Sequence, residues 1–65
     1  MKILIVDDEY LILNELKNNI NWTELGIEKI LTAQSIVQAK NIISQNDIEI
    51  ILCDIELPEG SGLDL

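Results

Sequence analysis

Apolar residues gather along the chain in three compact runs, and the stretches between two successive runs carry them at helical spacing. The first run, Ile3-Leu4-Ile5-Val6, stops abruptly at Asp7-Asp8-Glu9. It is too short for a helix and rich in β-branched side chains, so it predicts a buried strand. From about Glu9 to Asn19 the period changes. Ile12, Leu13, Leu16 and Ile20 recur at three- and four-residue steps and predict the apolar stripe of a helix. Asp8 and Glu9 stand where that helix begins, next to amides that have no partner of their own and favour negative charge. Asn21 is placed to end it.

Trp22 to Glu28 is expected to be a connection punctuated by Gly26. Lys29 to Ala33 is the second strand. Ser35 is an N-cap for a second helix whose stripe is Ile36 or Val37, then Ala39, Ile42 and Ile43, with Asn46-Asp47 closing it. Ile48 to Cys53 is the third strand, broken in apolar character only by Glu49, and it ends on Asp54. Leu57-Pro58-Glu59-Gly60-Ser61-Gly62 has the composition of a loop, and Leu63 opens a further helical stretch. No repeat, low-complexity tract or linker divides the chain, so 65 residues predict one small domain.

The order strand–helix–strand–helix–strand predicts an α/β fold with right-handed crossovers and a parallel sheet. Composition agrees: Ile and Leu dominate, Phe is absent, and Tyr10 and Trp22 are the only aromatic residues. Branched aliphatic runs suit parallel strands buried on both faces. Sheets of this class place ligand sites at the carboxyl ends of their strands. Asp7 and Asp8 after the first strand and Asp54 after the third are therefore expected on one edge.

A formal charge of −8, with Lys2, Lys17, Lys29 and Lys40 as the only basic residues, argues against nucleic-acid binding by this segment. It suits cationic partners or metal ions instead. Cys53 lies in an apolar run, where a buried, inert thiol is the default. No stretch approaches the roughly 20 apolar residues of a membrane span. Met1 leads straight into the first strand without a leader pattern, and the expected location is cytoplasmic.

Carboxylates on one edge repel one another unless a cation joins them. A hard divalent ion such as Mg2+ takes oxygen ligands and would keep a neighbouring carboxylate ionised and nucleophilic. Attack by Asp54 on a phosphoryl group would give an acyl phosphate. Taken alone, the same acids also fit a plainer role, capping the helices that follow the strands.

Ile3 to Glu9, I-L-I-V-D-D-E, and Ile50 to Leu63, I-I-L-C-D-I-E-L-P-E-G-S-G-L, together closely resemble the receiver domains of two-component response regulators. The resemblance covers the whole chain. It implies the flavodoxin-like fold, here as β-α-β-α-β with a three-stranded sheet ordered 2-1-3, out of a full order 2-1-3-4-5. Asp54 would accept the phosphoryl group from a sensor histidine kinase. Asp8 would ligate Mg2+ directly, Asp7 would assist through water or placement, and the backbone carbonyl of Glu56 would complete the metal's protein ligands. Pro58 and Gly62 would shape the turn after the acceptor. Leu57 stands where Met is common, Ile36 where Gly is frequent, and Ile48 where Pro often precedes the third strand. Asn21-Trp22-Thr23-Glu24-Leu25-Gly26 resembles the exit of the first helix in regulators with an AraC-type DNA-binding output. The plain alternative is a Trp packed over a helix end.

The family's Ser or Thr after strand four and Lys after strand five have no counterpart among residues 1–65, and none of the four lysines matches them. Residues 1–65 are thus expected to be the first half of a receiver, controlling an output domain outside it. Little or no phosphorylation is expected of this half alone. Strand three is expected to be an exposed edge through which two copies pair. The alternatives are a metal-dependent phosphatase or phosphotransferase with an Asp nucleophile, and an inactive receiver fragment. The Asp-x-Asp pattern of haloacid dehalogenases is only approximated by Asp54-Ile55-Glu56. A nucleotide-binding module would need a glycine-rich loop after the first strand, which the sequence lacks.

Overall fold

The computed structural model describes residues 1–53 and the backbone of 56–57 and 60–61. Asp54, Pro58, Gly62 and the expected helical start at Leu63 lie outside the described residues. In chain order the elements are β1 (Lys2–Val6), α1 (Tyr10–Asn19), β2 (Lys29–Ala33), α2 (Ile36–Gln45) and β3 (Ile50–Cys53). The three strands form a parallel sheet in the order β2-β1-β3, the expected 2-1-3 arrangement. Leu4 faces Leu31 on one side and Ile51 on the other, and Val6 faces Ala33 and Cys53.

The unbroken apolar character of β1 follows from its central position. Successive side chains of a strand point to opposite faces, and here both faces are covered. Leu4 and Val6 pack with Ala33, Ile36 and Ala39, the α2 side. Ile3 and Ile5 pack with Leu13, Trp22 and Ile27, the α1 side. These four β1 residues are the largest fully buried side chains among the described residues, none more than 2% exposed.

The helices follow the predicted stripes with one correction, and one open choice is settled. On α1, Leu13 is buried and Leu16 and Ile20 pack against the same cluster, but Ile12 is 37% exposed. Leu13, Leu16 and Ile20 already line one face at steps of three and four, and Ile12 falls a full 100° round from Leu13. On α2, Ile36 is the core member of the pair left open by the sequence, and Val37 stands 71% exposed. Ser35 caps α2 as expected: its Oγ accepts the Gln38 amide at 3.1 Å, while Gln38 Oε1 accepts the Gln34 amide at 2.9 Å. Such a reciprocal cap satisfies two otherwise unpaired donors. Asn46 closes the helix, donating from Nδ2 to the Ile42 carbonyl at 3.0 Å.

Three further expectations are revised. β3 begins at Ile50 rather than Ile48, because the Ile48 amide turns back to the Asn46 carbonyl and pairing with β1 starts only afterwards. Cys53 is half-buried rather than buried. The stretch expected as a plain loop pairs with itself: β4 (Glu56–Leu57) runs antiparallel to β5 (Gly60–Ser61), with Glu56 opposite Ser61 and Leu57 opposite Gly60.

Trp22 organises the connection from α1 to β2. It is 7% exposed, and its indole Nε1 donates to the Lys17 carbonyl at 3.2 Å, satisfying one of the unpaired carbonyls at the end of α1. Its own carbonyl accepts the amides of Leu25 and Ile27. The turn ends at Gly26, whose φ of +77° is a conformation that side-chain-bearing residues rarely adopt. Trp22 is thus packed over the end of α1, as the plain reading of this segment expected.

Candidate functional site

The sheet register brings the carboxyl ends of all three strands level, because Val6 pairs with both Ala33 and Cys53. Asp7 follows Val6 directly. Its backbone amide donates to the Ala33 carbonyl at 3.1 Å, carrying the β1–β2 pairing one residue further. Its carboxylate Oδ1 accepts the Glu9 amide at 2.9 Å. Asp8 is exposed, and its side chain is engaged in no hydrogen bond or ion pair with the described residues. Glu9 takes the N-cap position of α1, with φ −92° and ψ 109°, yet its side chain makes no capping bond. The capping role allowed for these acids therefore falls in part to Asp7, which secures the amide of the cap residue.

Cys53 is the last residue described before Asp54, the expected acceptor, which lies outside the described residues. The same holds for the side chain of Glu56, whose backbone is described as part of β4. Beside Asp7, an open groove of about 310 Å³ runs along the sheet edge, lined by Ile5, Val6, Asp7, Leu16, Leu52 and Cys53.

Among the described residues no group of three or more Asp, Glu, His or Cys side chains could hold a metal ion. They do supply two adjacent carboxylates, Asp7 and Asp8, at one end of the sheet. An all-oxygen set of this kind, without His and with one Asp oxygen already committed, fits a hard divalent cation that keeps several of its waters. It does not fit a zinc-type site, which would draw on His and Cys.

The opposite edge of the sheet has different chemistry. The Met1 ammonium lies 2.7 Å from Glu28 Oε1 and 3.9 Å from Glu49 Oε2. Its hydrogen bond and charge hold the Glu28 carboxyl below the usual carboxylate range. Those acids are already engaged, and the register separates them from Asp7 by the length of β1. Sequence reasoning missed the bond between Asp7 and Glu9; an Asp two residues ahead of a helix-entry amide is its signal.

A parallel 2-1-3 sheet with an acid pair after its first strand defines a class, and comparison with known proteins identifies it. The chain belongs to the response regulator receiver domain family, whose model matches residues 3–65. It is 39% identical over 64 residues to an uncharacterized response regulatory protein of Staphylococcus epidermidis, covering 98% of this chain and 26% of that protein. It is 38% identical over 64 residues to the transcriptional regulatory protein HptR of Staphylococcus aureus, covering 98% of this chain and 25% of HptR. The chain thus spans about a quarter of the length of the curated relatives it matches. No solved structure gives a significant match. Receiver domains are signalling modules of two-component systems. No helix among the described residues is long and apolar enough to cross a membrane.

Proposed function

We propose that residues 1–65 form the first half of a receiver domain in which Asp54 takes a phosphoryl group from a sensor histidine kinase. The observation that carries this reading is the placement of Asp7 and Asp8 at the end of β1, level with the end of β3 at Cys53. In the reaction an Asp54 carboxylate oxygen attacks phosphorus, a P–O bond forms as the P–N bond to the kinase imidazole breaks, and an acyl phosphate results. Asp8 would hold Mg2+ directly, Asp7 would support it, and the Glu56 carbonyl would complete the protein's share of the ligands. When bound, Mg2+ would offset charge on the transferring oxygens and keep Asp54 ionised. The relatives that carry transcriptional names support an output in gene control, and kinase-fed signalling of this kind belongs in the cytoplasm.

The test is incubation with acetyl phosphate and Mg2+ of this chain, its Asp54→Asn variant and a chain extended through the family's fifth strand. The extended chain is expected to become labelled and its Asn variant to remain unlabelled. The 65-residue chain, lacking the family's Lys and Ser or Thr, should label at most weakly. Equal labelling of the extended chain and its Asn variant would remove Asp54 from the role.

Self-association through β3 belongs to the same proposal. Ile51 and Leu52 are 41% and 43% exposed, and among the described residues the outer edge of this strand has no neighbouring strand. The outer edge of a sheet is a template for another chain. A second copy pairing antiparallel across a two-fold axis would cover the edge and flank both side chains. Sedimentation equilibrium should therefore show dimers that Leu52→Lys disperses; a monodisperse monomer of the parent chain would rule the pairing out.

A further inference from the structure

We draw no further inference here: the strongest candidate, the surface patch of Tyr10 and Leu11 exposed on the first turn of α1, carries nothing because nothing in the structure shows what covers it.

Discussion

Trp22→Ala is expected to leave most of the chain unfolded at 25 °C, seen as loss of the far-ultraviolet dichroism of both helices. Trp22 is 7% exposed and packs in one cluster with Ile3, Ile5, Leu13 and Ile27. Truncating a buried Trp to Ala costs about 3–5 kcal/mol. The variant also loses the indole donor to the Lys17 carbonyl, in a part-buried setting where an unmet polar group adds about 1–3 kcal/mol. A chain of 65 residues has little to set against this, because single cores of such size rarely supply more than about 3–5 kcal/mol. Trp22→Phe separates the contributions: it keeps an aromatic body in the cluster and loses the donor, so its urea midpoint should fall between the parent and the Ala variant. Dichroism is the required probe, since Trp22 is the only Trp and its fluorescence disappears with it. An Ala variant within about 1 kcal/mol of the parent would show that Trp22 does not anchor this face.

Leu4→Ala is expected to cost about 2–5 kcal/mol, again enough to unfold much of the population. Leu4 is 0% exposed at the centre of the middle strand, between Leu31 and Ile51 in register and above Ile36 and Ala39 of α2. Strands on both sides and a helix above leave the cavity little room to collapse, so the upper part of that range is expected. Val37→Ala on the same helix, at a side chain 71% exposed, should change stability by no more than about 0.5 kcal/mol. Chemical denaturation of the two variants beside the parent checks the pair. Similar midpoints would mean that the α2 face of the sheet is not packed as described.

Both predictions follow the division of the core between the two sheet faces, and that division was partly written in the sequence. The run Ile3-Leu4-Ile5-Val6 is too short for a helix and rich in β-branched residues, and its lack of alternation marked a strand covered on both sides. Ser35 at the head of α2 and Asn46 at its end were legible for a similar reason, because capping depends on residues within a turn of one another. The acid pair after β1 was legible as a feature, and its match to a family motif gave it meaning.

Other outcomes depended on neighbours far away in the chain. Ile36 and Val37 are adjacent and similarly apolar, and only the direction from which α2 meets β1 and β2 decided that Ile36 enters the core. Ile12 satisfied the same spacing rule as Leu13 but lies on the flank of α1 that the sheet does not reach. Cys53 sits in an apolar run, yet it is only half-buried. Each of these is a question of which surface meets which, and no local pattern contains that answer.

The sequence by itself therefore determined the order of elements through β3, the two-sided burial of β1, the caps of α2 and the presence of an acid pair where β1 ends. These rest on interactions between residues a few positions apart or on the period of the backbone. Tertiary structure alone decided that Val6, Ala33 and Cys53 stand level, that Ile36 rather than Val37 enters the core, and that the Asp7 amide is tied to Ala33. Those facts rest on hydrogen bonds and contacts between segments distant in the chain, which come within reach only when the whole sheet assembles.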